Sequence, residues 1–379
     1  MKIFKLNIRI PVIFCLLILT TKTFSQDQNF HIYLCFGQSN MEGQGKIEAQ
    51  DKAVDSRFQV MQALDCSNIG RTKGKWYPAV PPLCQCYSGL SPADYFGKTM
   101  VANLPDSIKI GIINVAIGGC DIRLFDKDIY QDYDSTYTES WFTDKIKSYE
   151  GNPYKYLIDL ANLAQQDGVI KGILLHQGET NTGNTQWPSY VKTIYNNMLI
   201  DLSLDPESVP LLAGEVLSAD GNCCSSMNQI INRLPDTIPT AYVISSNGCT
   251  GQDNAHFNSE GYRILGRRYA EKMLSLMGYE ISTSFDEISA SKGYALEQNY
   301  PNPFSNKTNI SFKIPDSAYV SLKVFNMQGT EVMELAGKGF SAGTHMVEFC
   351  KEKHPAGTYF YTIKVDQYVA TRKLIIQTE

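Results

Sequence analysis

"FHIYLCFGQSNMEG" occupies residues 30–43. An apolar run over 30–36 stops at Gly37 and gives way to Gln38, Ser39 and Asn40. A short apolar run that ends in glycine reads as a strand buried on both faces, the kind found inside a parallel sheet. Its polar end is either a turn or a nucleophile held at a sheet edge. The rest of the chain has to decide between them.

Four more runs have the same character: 108–116 ("IKIGIINVA"), 170–175, 209–216 ("VPLLAGEV") and 241–246. Helical patterns lie between and after the later ones, at 153–166, 187–203, about 226–234 and 259–277, with Pro188 in the first turn of the second. Strand–helix alternation of this kind predicts a five-stranded parallel sheet with helices on both faces over residues 26–278. Residues 46–100 and 121–150 read as long irregular loops over one edge, rich in Tyr, Trp, Pro and Asp.

The texture changes after residue 278. The stretch "ISTSFDEISASKG" is polar and serine-rich, which predicts a linker over 279–294. Residues 295–379 then alternate apolar and polar in short runs such as "NISFKI" and "GTYFYTIKV". Tyr359, Tyr361, Ile363 and Val365 fall on one face of a strand, and Phe360, Thr362 and Lys364 on the other. This second region is expected to be a small all-β sandwich.

At the start of the chain, Lys2, Lys5 and Arg9 precede an apolar stretch over 10–19, and Thr23 and Ser25 supply small residues before Gln26. That pattern predicts a secretory signal over 1–25. Its apolar stretch is too short to cross a bilayer, which takes about 20 residues, so no transmembrane segment is expected in the mature chain. Residues 1–25 hold four basic and no acidic side chains, so their removal takes the net charge from −5 to −9. An acidic chain argues against nucleic acid as a partner, because that binding rests on cationic contacts to phosphate. Export makes disulfides possible, and the cysteines cluster as Cys66, Cys84 and Cys86, and as Cys223, Cys224 and Cys249. One bridge within each cluster is expected, although pairing is not legible in the sequence. Cys35, inside an apolar strand, reads as a buried thiol.

Four polar clusters follow the proposed strands. Ser39 follows the first, Gly118 and Gly119 the second, "HQGETN" (176–181) the third and "CTGQDNAHF" (249–257) the fifth. All lie just past carboxyl ends, the edge where open α/β sheets bind ligands. Turns alone would be spread over both edges. A serine nucleophile needs an imidazole within hydrogen-bond reach and a carboxylate to hold that imidazole's tautomer. His345 and His354 belong to the second region and His31 sits in a strand, which leaves His176 and His256. In "DNAH", Asp253 precedes His256 by three residues, close enough for the carboxylate to reach Nδ1. By itself that spacing reads as a helix cap beside a surface histidine; set among the other clusters it reads as catalytic. Donors for a developing oxyanion are available from the Ser39 amide, from Gly118 or Gly119, and from the side chain of Gln177 or Asn181.

"FGQSNMEG", "NVAIGG", "HQGETN" and "DNAHF" resemble the four signature blocks of SGNH-type carbohydrate acetylesterases, in particular sialate O-acetylesterase-like proteins and carbohydrate esterase family six. The resemblance spans about residues 28–278. It implies a flavodoxin-like, three-layer α/β/α fold and a Ser-His-Asp mechanism that uses no metal and no cofactor. Carried over by position, Ser39 is the nucleophile, His256 the base and Asp253 its partner. The Ser39 amide, Gly118 or Gly119, and Gln177 make the oxyanion hole. Gln38, Asn40, Glu179 and Asn181 support the site, with Glu179 orienting its neighbours. Two features depart from the wider superfamily. Gln38 stands where Asp precedes the serine, and Gln177 stands in place of the third block's asparagine. Cys120 also follows the glycine pair where Ser or Thr is expected.

"LEQNYPNPFSNKTNISFKIP", followed by "VFNMQG" and "AGTYFY", resembles a type IX secretion sorting domain. That implies the type IX machinery as a partner and a secreted or cell-surface location. A carbohydrate-binding sandwich is the alternative, and it requires exposed aromatics such as Tyr359. For the first region the expected activity is removal of O-acetyl groups from carbohydrate, acetylxylan or a related plant or host glycan, with sialate as the alternative substrate. A non-catalytic glycan-binding protein on the same fold is one rival. A metal-dependent deacetylase built on His176 and Glu179 is another. Trp76 and Trp141, in the long loops, either stack on sugar rings or anchor those loops, the second being the commoner role.

Overall fold

The computed structural model describes residues 26–134, 138–218, 222–279, 293–327, 330–351, 354–365 and 368–377. The expected signal at 1–25 and most of the expected linker, 280–292, lie outside the described residues. Contacts group the described residues into two compact units, one up to Tyr279 and one beyond it.

The first unit is built on a seven-stranded sheet. Its strands are β1 (Asp27–Gly37), β2 (Phe58–Met61), β3 (Trp76–Pro78), β4 (Lys109–Ala116), β5 (Gly168–His176), β6 (Leu211–Gly214) and β7 (Ala241–Ile244). They lie in the order β3-β2-β4-β1-β5-β6-β7. The five strands read from sequence all form, and every pairing among them is parallel. Their order gives the flavodoxin-like 2-1-3-4-5 pattern, which switches direction at β1. Two strands extend the expected sheet: β2 is parallel to β4, and β3 closes the edge antiparallel to β2. Both come from residues 46–100, read as loop because strands of three or four residues are too short to show a period. The same region holds helix α2 (Pro92–Asn103), which Ser91 and Asp94 start with a reciprocal capping box. Residues 121–150 contain α3 (Ser140–Ser148) as well as shorter turns.

Helices cover both faces. Ile32, Leu34 and Phe36 of β1 point into a core shared with Leu157, Leu160 and Ala161 of α4 (Pro153–Ala164) and Val191 and Ile194 of α5 (Trp187–Asp201). On the other face Tyr33 meets the ring of Phe96 of α2 at 4.8 Å. There α2 packs along the final helix α6 (Ser259–Leu276), whose first turn is capped by Asn258.

Register positions the site. Gly37 of β1 lies opposite Ala116 of β4 and opposite His176 of β5, so three strands end at one level. The loops that follow therefore emerge together. Gly37 has φ +145°, and a Cβ there would fall 2.1 Å from the His176 carbonyl oxygen. No side chain fits between the two strand ends. Gly37→Ala is expected to destabilise the first unit by about 1–3 kcal/mol or more, seen as a lower denaturant midpoint with an unchanged slope.

The second unit has two antiparallel sheets around one core. A four-stranded sheet joins Glu331–Phe340, Ala318–Phe325, Gly357–Val365 and Tyr368–Ile376, and a three-stranded sheet joins Gly343–Cys350, Lys307–Ile314 and Ala295–Leu296. Tyr359, Tyr361, Ile363 and Val365 all face that core. Tyr359 is thus buried packing and offers no exposed platform to a sugar.

Candidate active site

The end of β1 turns directly into a one-turn helix, α1 (Ser39–Glu42). The Gln38 carbonyl accepts from the amides of Met41 and Glu42, and Asn114 of β4 donates to the Met41 carbonyl. The sharp strand-to-helix turn leaves the Ser39 hydroxyl at the cleft and its amide at a helix start, where amides have no intrahelical acceptor. Among the described residues nothing accepts from the Ser39 amide.

The loop ahead of α6 brings His256 to this hydroxyl. His256 Nε2 lies 2.9 Å from Ser39 Oγ, across 217 residues of chain. On the far side of the ring, Nδ1 lies 2.8 Å from Asp253 Oδ2. Asp253 Oδ1 also accepts from the amides of Ala255 at 2.8 Å and His256 at 2.7 Å, so one carboxylate shapes the loop and holds the ring. Partial burial pushes the Asp253 carboxyl up. The hydrogen bonds from the Ala255 amide, the His256 ring and the His256 amide outweigh that and hold it below the usual carboxylate range.

Asn40 joins the two loops. Its Nδ2 donates to Glu179 Oε1 and, at 3.0 Å, to the Ala255 carbonyl, while its Oδ1 accepts from the Phe257 amide and the Tyr262 hydroxyl. Both chain neighbours of His256 are therefore tied to the residue after Ser39. Glu179 is buried between Asn40 and His176, with its Oε1 3.7 Å from His176 Nε2.

The glycine pair is placed unequally. The Gly118 amide donates to the buried carboxylate of Glu42, which also accepts from Lys145 Nζ of α3 at 2.6 Å. Among the described residues nothing accepts from the Gly119 amide, and the Gly119 carbonyl is held by the Thr180 hydroxyl at 3.1 Å. The carboxamide of Gln177 does not reach the cleft. Its Nε2 donates to Gln38 Oε1, Asn181 Oδ1 and the Cys120 carbonyl, and its Oε1 accepts from Trp187 Nε1. Asn181 is also turned away, donating to Asp121 and accepting from the Ile122 amide. Closer acceptors from neighbouring loops have taken the hydrogens that the sequence offered to an oxyanion.

These groups border an open cleft of about 460 Å³ lined by Ser39, His256, Gly119, Thr180, Trp141 and Lys145, among others. Trp141 stands half exposed at its mouth. Trp76 lies elsewhere, packed on Phe30 at the sheet edge. Sequence reasoning missed the Glu42–Lys145 pair. Glu42 lies in the first motif but carries no signature of its own, and Lys145 sits in a stretch read as loop. Cys120 is a buried free thiol, and so is Cys35; burial pushes both far above the usual thiol value. Disulfides join Cys66 to Cys86 and Cys223 to Cys224, leaving Cys84 and Cys249 free.

The profile of the family described as carbohydrate esterase, sialic acid-specific acetylesterase matches residues 29–275. The chain belongs to this family. It is a carbohydrate esterase, and the cleft at the carboxyl ends of β1, β4 and β5 lies within the matched region. The esterase fold is also that of a protein of known structure from Arabidopsis thaliana, 19% identical, with a TM-score of 0.50 over 66% of this chain and 99% of that one. A lipase from a goat rumen metagenome is 9% identical, with a TM-score of 0.35 over 65% of this chain and 97% of its own. Residues 298–377 match the secretion system C-terminal sorting domain. That domain directs the esterase to the type IX secretion machinery and so to the cell surface or the medium. Among the described residues no helix is long and apolar enough to cross a membrane.

Proposed function

We propose that this esterase removes O-acetyl groups from carbohydrate through an acetyl-serine intermediate. The observation that carries the reading is the alignment of three groups, with His256 Nε2 2.9 Å from Ser39 Oγ and its Nδ1 2.8 Å from Asp253. His256 takes the Ser39 proton as Oγ bonds to the acetyl carbonyl carbon. The Ser39 and Gly119 amides stabilise the oxygen that gains charge. As the intermediate collapses, the carbon–oxygen bond to the sugar breaks and the imidazolium returns its proton to the sugar oxygen. Water then attacks the acetyl-serine with the same base, releasing acetate. Residues 1–25 serve as the signal that starts export.

The preferred substrate is acetylxylan or a related plant or host glycan, with Trp141 offering an apolar face to a sugar ring at the cleft mouth. The family description favours a second reading, acetylated sialic acid. Acetate release from a panel of acetylated xylan, pectin and sialosides tests the assignment. Release from none of them, by protein that also fails to cleave a simple aryl acetate, would support a glycan-binding role instead.

Against partial burial, Asp253 is held below the usual carboxylate range by its hydrogen bonds from the Ala255 amide and from the His256 ring and amide. The stability this adds to the loop is present above the ordinary carboxylate range and is lost as pH falls through the folded value. Asp253→Asn is therefore expected to weaken the acid dependence of the thermal midpoint, and an unchanged acid limb in the variant would mean that other carboxylates set it.

A further inference from the structure

A second cleft opens at the other end of the strands. It has a volume of about 510 Å³ and is bordered by His31 of β1, Lys171 of β5, Tyr242 of β7, and Met273, Leu276 and Met277 at the end of α6. These strand residues lie toward amino ends, whereas the catalytic cleft occupies the carboxyl ends, the usual ligand edge of an open α/β sheet. His31 and Tyr33 alternate onto the face that α6 covers. The Tyr33 hydroxyl donates to Met277 Sδ at 3.7 Å and so seats the helix end on that face. His31 is only 8% exposed, and among the described residues no hydrogen bond reaches its Nδ1. Burial, and after it the Lys171 ammonium, hold the imidazole below its ordinary value, so the ring is uncharged at neutral pH. Lys171 is itself half-buried, and among the described residues its ammonium has no ion-pair or hydrogen-bond partner. Glu207 stands exposed on the rim, out of ion-pair reach of Lys171. A neutral imidazole always carries one N–H. The ammonium and the ring therefore share a need for an acceptor that the protein does not supply, and a buried polar atom left without a partner calls for an explanation.

We propose that this cleft is a second binding site and that it takes a small organic carboxylate with an apolar body. The Lys171 ammonium pairs with the carboxylate, and the His31 ring donates its N–H to the same group. The body lies against Met273, Leu276 and Met277, of which Leu276 is 38% exposed, and against the ring of Tyr242. Lys272 Nζ, 4.4 Å from the centre of that ring, holds it from the other helix position on α6. Unbranched methionine side chains adapt to such a body. An apolar wall with a few placed polar groups is the usual make-up of a small-molecule site, and the volume falls within the usual range of roughly 300–1,000 Å³. The two clefts share no lining residue, so the proposal stands apart from the acetyl-serine reading.

Calorimetric titration of the full chain with hydrocinnamate decides the matter, with hydrocinnamide as the uncharged control. Saturable binding of the acid is expected, with the amide weaker by roughly tenfold or more, because a hydrogen bond to a charged group is lost. Lys171→Met should weaken the acid by about the same factor and leave the amide unchanged. Hydrolysis of an aryl acetate by Lys171→Met should stay at the wild-type rate. Leu276→Asp, at an exposed position, removes apolar surface and sets a like charge beside the bound carboxylate. It should abolish binding of the acid, and it supplies the test if Lys171→Met does not fold. No saturable binding to the wild type overturns the proposal. So does equal affinity for acid and amide, or binding of the acid that neither variant alters. Competitive inhibition of ester hydrolysis by hydrocinnamate, undiminished in Lys171→Met, places the probe in the catalytic cleft and also overturns it.

Discussion

Ser39→Ala is expected to lower kcat for hydrolysis of an acetylated test ester by roughly 10⁶-fold, the usual cost of deleting a serine nucleophile. Among the described residues, the only hydrogen bond of the Ser39 side chain is the one to His256. The turn that carries it is held by backbone groups, with the Gly43 amide donating to the Ser39 carbonyl. The Asn114 bond to Met41 and the Asn40 bonds to Ala255 and Phe257 also remain without the hydroxyl. The variant should thus stay folded, with a thermal midpoint within a few degrees of wild type. Loss of turnover in folded protein assigns the chemistry to one oxygen atom. Hydrolysis at the wild-type rate would mean that another group attacks the ester.

Asp253→Asn should lower kcat by roughly 10⁴-fold. Asparagine keeps the size of the side chain and an oxygen able to accept from the Ala255 and His256 amides, so the loop survives. The other atom changes from an acceptor to a donor. Facing an NH2, Nδ1 must give up its hydrogen, and the proton moves to Nε2. That nitrogen then points a hydrogen at Ser39 and cannot accept one. KM should change little, since Asp253 is not among the residues that line the cleft. The double variant with Ser39→Ala should be no slower than Ser39→Ala alone, because residues that act as a unit are far from additive. A drop smaller than about tenfold in kcat would show that the His256 tautomer is set by something other than this carboxylate.

Much of the frame was legible because burial leaves a pattern. Strands β1 and β4–β7 are apolar on both faces, and α4, α5 and α6 show the helical period. Residues with no period of their own were harder to place. Strand β3 leaves each of its side chains partly exposed, β2 is buried but only four residues long, and α2 announces itself only through the Ser91–Asp94 cap. The Lys145–Glu42 ion pair joins side chains 103 residues apart, and a lone lysine in a polar stretch carries no sign of a buried partner.

At the cleft, residue order alone made the chemical groups legible: a hydroxyl, an imidazole, a carboxylate and several amides, each just past the carboxyl end of a parallel strand. It also determined that Asp253 and His256 would be neighbours, since three residues separate them. Which amide points where depends on contacts between segments far apart in the chain. Gly118, Gln177 and Asn181 each have the donors that an oxyanion needs, yet Glu42, Gln38 and Asp121 accept from them first. A hydrogen bond forms with the nearest well-aligned acceptor, and here those acceptors arrive from segments 60 to 139 residues away in the chain.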